Sequence, residues 1–166
     1  MAAKMNRQQA LDELAHEHHI EGPDIYLLEL IPLIEMIWAD GVAQEAEMDV
    51  MREYMIAHVG RLNEAAAMEV VTNDDVQRFF QRFCHERPAP ELLKTIRELS
   101  VAVFLNSPDE SRNREKRDTL LAYCLDIAAA TVLEYPYGRR ERIVAEEKAM
   151  LLEIMEHFQI SLDREW

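Results

Sequence analysis

The chain has 166 residues, of which 49% are hydrophobic and 30% charged, enough for one domain with a buried core. Its formal net charge of −14 repels phosphate backbones, which disfavours direct nucleic-acid binding. Only four glycines occur, and many Ala, Leu, Glu and Met residues favour helix. Because no alternating strand pattern is present, we expect an all-α, single-domain bundle of about seven helices over residues 1–166.

The first two predicted helices are separated by a Gly-Pro pair. One covers about Lys4 to His19, and the next, apolar nearly all round, runs from Asp24 to Ala39. Asp24 is the predicted N-cap of the second helix. Pro32 should kink that helix or mark a restart, because proline lacks an amide donor. Its apolar surface predicts a central position, and its length is short for a membrane span.

Five more helices are predicted downstream. They cover about Gln44 to Leu62, a segment capped by Thr72 or Asn73, a segment through Leu92 to Val103, Asp109 to Glu134, and Val144 to Gln159. The "RPAP" stretch at 87–90 should break the chain between the fourth and fifth helices. Cys84 and Cys124 lie in apolar helical runs and are expected to be reduced core thiols. The polar N-terminus lacks the apolar core of a signal peptide, so a cytoplasmic location is expected.

The most informative pattern is a glutamate that starts two related helices. Glu47 in "EAEMDVMREYMIAHV" and Glu147 in "AEEKAMLLEIMEHFQI" each begin an apolar stripe with helical spacing. Each carboxylate should therefore lean toward the core. Each helix also follows an apolar helix that ends in an acid, Asp40 in one case and Glu134 in the other.

Inward carboxylates allow two interpretations. Several such groups repel one another and are costly to ionise in a core, and hard cations such as Ca²⁺ or Mg²⁺ remove both problems. Alternatively, a helix N-terminus itself favours an acid, which suffices for Glu47 or Glu147 taken singly. Asp40 at a helix C-terminus is harder to explain in that way, although Asp before Gly is also common in turns.

The stretch "ADGVAQEAE", with Asp-Gly and a Glu seven places after the Asp, resembles the TerB-like domain of tellurite-resistance proteins. The terminal "EEKAMLLEIMEHFQIS" is similar to the second half of that domain. The resemblance implies two related helix–loop–helix halves, an acidic cluster proposed to bind a metal ion, and a role in stress response. By position, Asp40 and Glu47 match the first-half acids and Glu147 the second-half Glu.

The second half departs from the family pattern, because Arg140 stands where the Asp is expected. Glu134 supplies that acid only if "YPYGRR" belongs to a longer loop. Arg139, Arg140 and Arg142 could then neutralise the acids without a metal. A helical module that docks a basic protein partner through its acidic surface is therefore the alternative to a cation-binding protein.

Other site patterns are weaker. Adjacent histidines of "HEHH" point in different directions on a helix, so only His16 and His19 could chelate together, and a solvated helix end is favoured. The Glu-x-x-His pairs of a di-iron bundle are incomplete. No phosphate loop or nucleophile motif occurs, so a non-enzymatic protein is expected.

The predicted metal ligands are Asp40, Glu47, Glu134 and Glu147, for a divalent ion of unknown identity.

Overall fold

A computed structural model describes residues 6–39, 41, 43–105, 107–134 and 145–158. In these residues the chain is helical and contains no strand, which confirms the all-α, single-domain bundle. Seven α-helices are described: α1 Arg7–His18, α2 Ile31–Ile37, α3 Glu45–Ala66, α4 Asn73–Phe80, α5 Pro90–Phe104, α6 Glu110–Glu134 and α7 Ala145–His157. A 3₁₀ segment, Gly22–Leu30, precedes α2, and a π-helical turn, Gln81–His85, follows α4.

Helix α2 lies at the centre of the bundle, as its apolar sequence predicts. All seven of its residues are buried, and it contacts α3, α5, α6 and α7. Just after the helix, the indole Nε1 of Trp38 donates a hydrogen bond of 2.8 Å to the carbonyl oxygen of Phe83. The centre of the fold is therefore a short, fully enclosed helix whose end is anchored to the π-helical turn.

The predicted second helix, Asp24 to Ala39, is divided in two. Residues 22–30 form the 3₁₀ segment, and Pro32 occupies the second position of α2, so the predicted restart is confirmed. Pro32 has no amide hydrogen for the Leu28 carbonyl, which instead accepts from the N–H of Ile31. The N-cap prediction for Asp24 is wrong, because the segment begins two residues earlier, at Gly22.

The remaining helix boundaries follow the predictions with small shifts. Helix α3 continues to Ala66, four residues beyond the predicted end. Thr72 is the N-cap of α4, and its side chain accepts a hydrogen bond from the N–H of Asp75. Pro90 begins α5 after the break at 87–90. Proline and capping residues thus set most of the helix ends.

Both cysteines are free and buried, which confirms them as core thiols. Burial raises the pKa of the Cys84 thiol to about 12, so that sulfur stays protonated and unreactive near neutral pH. None of the helices in the described ranges is long and apolar enough to cross a membrane.

Candidate functional site

Two glutamates occupy the same position in two helices. Glu47 is the third residue of α3 and Glu147 the third residue of α7, and the exposed fraction of each is 0%. Their neighbours Glu45 and Glu146, in the same first turns, are exposed. The prediction that the two carboxylates lean toward the core is therefore confirmed.

The start of α3 provides local hydrogen bonding for its buried acid. The backbone N–H of Gln44 donates to Oε1 of Glu47 at 3.1 Å, as in a capping box. The positive end of the helix dipole lies at the same place. This contact supports the interpretation of Glu47 as an acid stabilised by the helix N-terminus. The backbone of Gln44 orients one of its two carboxylate oxygens.

The other two predicted ligands are described only in part. Asp40 lies outside the described residues, as do Arg139, Arg140 and Arg142. Glu134 is the last residue of α6, and its side chain lies outside the description. Within the described residues, no group of three or more His, Cys, Asp or Glu side chains is placed to hold a metal ion. The four-residue ligand set stays a prediction.

Residues close in sequence to two of these acids line one cleft of about 380 Å³. Ala39, which precedes Asp40, lies on one side of it. Met150, one helical turn after Glu147, also lines it. The end of α2 and the first turns of α7 therefore border the same cavity, which we call the Glu35 cleft.

The Glu35 cleft takes its name from a carboxylate that lies between three helices. Glu35 of α2 is 3% exposed and accepts a hydrogen bond of 2.7 Å from Nη1 of Arg97 on α5. Nη2 of Arg97 lies 3.3 Å from Oε2 of Glu153 on α7. Arg97 is fully buried, whereas the Glu153 side chain is 46% exposed. Two carboxylates thus share one guanidinium, and this charged cluster links α2, α5 and α7.

Burial raises the pKa of the Glu35 carboxyl to about 7, although the neighbouring Arg97 cation opposes the shift. The charges of Glu153 and Glu98 add to the increase. Arg97 does not titrate in this range, because a guanidinium keeps its positive charge at every ordinary pH. Glu35 is therefore the member of the cluster that can take up a proton near neutral pH.

Two cations and an indole also line the cleft. Arg87, before α5, and Lys94, in its second turn, both line it and are both exposed. Trp38 forms part of the wall. Gly41 has a φ of +87°, and a Cβ built there would lie 3.4 Å from Nη1 of Arg87. That distance is an ordinary van der Waals contact, so the positive φ, and not a lack of space, favours glycine at this position.

Sequence reasoning missed this charged cluster, although both members carried a signal. Glu35 lies in a helix that is apolar nearly all round, where an acid requires a partner. Arg97 lies on the buried face of α5, one turn after Leu93 and one turn before Ser100. Nothing in the sequence pairs the two residues, which are 62 positions apart.

The histidine-rich end of α1 agrees with the prediction of a solvated helix end. His16 and His19 are exposed, and His19 is the left-handed C-cap of the helix.

The methionines of α3 agree with core packing, since Met51 and Met55 are fully buried.

No family model, no curated relative and no solved structure matches this chain. The similarity to the TerB-like domain therefore stays a prediction from the quoted motifs.

Proposed function

We propose that the protein is a non-enzymatic helical domain that binds or senses a divalent cation in a stress response. The acidic cluster is centred on Asp40, Glu47 and Glu147, with Glu134 as a weaker fourth ligand. The observation that carries the proposal is the complete burial of Glu47 and Glu147 at the same position of two helices.

Burial makes an ionised carboxylate expensive, and a cation lowers that cost. A buried acid either takes up a proton, pairs with a cation or coordinates a metal. Hard divalent ions prefer carboxylate oxygens, and Ca²⁺ accepts them in flexible geometries. The net charge of −14 adds a general attraction for cations.

The proposal needs acids from distant parts of the chain to lie near one another. The Glu35 cleft supports this requirement, because Ala39, which precedes Asp40, and Met150, one helical turn after Glu147, line the same cavity. The stress-response role is supported only by the resemblance of the Asp-Gly and Glu motifs to those of TerB-like domains.

Thermal unfolding with added metal tests the proposal. Ca²⁺, Mg²⁺, Mn²⁺ or Zn²⁺ at millimolar concentration should raise the melting temperature, because an ion that binds only the folded state stabilises it. Asp40→Asn combined with Glu47→Gln should abolish the increase, and Glu147→Gln should reduce it. Glutamine at position 47 keeps an oxygen for the Gln44 N–H, so the variant isolates the charge.

The chain provides matched controls for both acids. Glu45→Gln and Glu146→Gln remove one charge from the same first turns, but their side chains are exposed. These variants should keep the full increase in melting temperature. A failure of all four ions to stabilise the native protein would refute the proposal, as would equal losses in the buried and exposed variants.

A second candidate is a protein-interaction module that docks a basic partner, favoured by the net charge of −14. Partner capture in this case should weaken steeply with salt and should not respond to chelator. A pull-down from native lysate with and without EDTA separates the two candidates, since cation-dependent capture supports the first.

A further inference from the structure

We propose that the Glu35 cleft binds a small zwitterion of the α-amino acid class. The carboxylates of Glu35 and Glu153 receive the ligand ammonium group, and Arg87 with Lys94 receives its carboxylate. The residues proposed here differ from the four proposed cation ligands, and binding does not require a metal.

The interior of the cleft has an excess of negative charge. Glu35 and Glu153 share Arg97, so the three side chains carry a net charge of −1 when both acids are ionised. Glu153 is 46% exposed, which leaves its carboxylate accessible to a ligand. An ammonium group supplies the missing positive charge and can donate to both acids.

Three exposed residues of the 87–94 segment line the cleft: the cations Arg87 and Lys94 and the acid Glu91. Neither Arg87 nor Lys94 forms an ion pair with any residue that the structure describes. Each is exposed in a protein whose overall charge is strongly negative. Because a guanidinium and an ammonium are both suited to a carboxylate, the two groups fit the anionic end of an amino acid.

Apolar residues also line the cleft. Trp38, Leu93 and Met150 line the cleft, and the hydrogen bond from Trp38 to the Phe83 carbonyl fixes the indole ring. An indole also attracts an ammonium group through its π face. The volume of about 380 Å³ suits one small molecule, and five of the eleven lining residues are charged, which favours a charged ligand over an apolar one.

Binding is measured on the full chain in EDTA, with Trp38 fluorescence as the reporter in a Trp166→Phe background. The probes are the common L-amino acids, and the matched controls for the best probe are its N-acetyl and amide forms. Each control lacks one of the two charges. The free amino acid should bind and each blocked form should bind about tenfold more weakly or worse, since each loses a charge-assisted contact.

Variants test the two charged regions separately. Lys94→Gln and Arg87→Gln should weaken binding of the amino acid but leave the amide form unchanged. Glu153→Gln should weaken the amino acid but leave the N-acetyl form unchanged. Glu156→Gln, an exposed acid on the same helix that does not line the cleft, serves as the control and should bind normally.

Two results would overturn the proposal. One is the absence of any response to the amino acids at about 10 mM, a concentration that exceeds a millimolar Kd, with circular dichroism showing a folded protein. The other is equal binding of free and blocked forms. Because EDTA is present throughout, either result leaves the cation proposal to its own test.

Discussion

Glu35 and Glu47 are both buried glutamates, but their surroundings differ in kind. Glu35 is in the middle of α2, and its counter-ion is Arg97, 62 residues away on α5. Glu47 is in the first turn of α3, where a backbone N–H three residues away donates to it. The Glu35 carboxylate is therefore stabilised by a residue of another helix, whereas the Glu47 carboxylate is stabilised by the first turn of its own helix.

The difference determines what each glutamate can do. A first-turn acid is stabilised by the helix that carries it, so its carboxylate can occupy the buried position before any ligand is bound. The Glu35 carboxylate depends on the packing of α2, α5 and α7, and burial raises its pKa. Changes at Glu35 should therefore affect global stability, whereas changes at Glu47 should affect mainly cation binding.

The largest predicted effect comes from Glu35→Leu. This change leaves Arg97 buried and charged, with only the half-exposed Glu153 as partner, and should lower the free energy of unfolding by about 3 kcal/mol. Urea unfolding measures the loss. Glu35→Leu combined with Arg97→Met removes both charges and should recover most of it. A single variant as stable as the native protein would contradict the dependence on tertiary pairing.

The second prediction concerns pH. The folded-state pKa of Glu35 is about 7, above its ordinary value of 4.5, so the folded protein binds this proton more tightly than the unfolded chain. The contribution of Glu35 to the free energy of unfolding should be most favourable at low pH. It should fall by about 1 to 3 kcal/mol as the pH rises from 4.5 to 7.

Denaturant unfolding of the native protein and of Glu35→Gln at several pH values isolates this titration. The difference in stability between the two proteins should shift against the native protein as the pH rises through this window. A constant difference would show that the Glu35 carboxyl does not titrate as described.

A smaller effect is expected at a second helix start. Thr72 caps α4, and its backbone N–H donates to Asp75, which lowers the pKa of the Asp75 carboxyl. Thr72→Ala should cost about 1 kcal/mol in the free energy of unfolding, the usual effect of losing an N-cap side chain. Equal losses from Thr72→Ala and Glu35→Leu would remove the distinction between local and tertiary stabilisation.

The smallest stability effect is predicted for Glu47→Gln in EDTA. The amide oxygen can still accept from the Gln44 N–H, so the free energy of unfolding should change by about 0.5 kcal/mol or less. Thermal unfolding without metal provides the measurement. A loss of several kcal/mol would show that the charge of Glu47 is structural.

The same distinction explains which features were predictable from the sequence. Helix starts, proline breaks and the inward orientation of Glu47 and Glu147 depend on residues within one or two helical turns, so periodicity and capping rules apply. The 3₁₀ segment before α2 was missed because an apolar run at Gly22–Leu30 satisfies either helix type.

The Glu35–Arg97 pair could not be derived, because it depends on how two helices pack. A charged residue in an apolar stripe signals that a partner exists, but spacing along the chain does not identify it. The same holds for the cleft, whose lining combines α2, the segment before α5, α5 and α7. Metal binding by acids that are far apart in the chain also depends on how the helices pack, so it stays a prediction.

The most direct test of the cation proposal is elemental analysis of protein purified without chelator. The native protein and the Glu45→Gln and Glu146→Gln variants should each carry divalent metal in a fixed ratio to protein after dialysis. Glu47→Gln and Glu147→Gln should each retain less metal, and Asp40→Asn combined with Glu47→Gln should lose it, while all three variants remain folded. Metal-free native protein that also takes up none of the four ions on equilibrium dialysis would contradict the account.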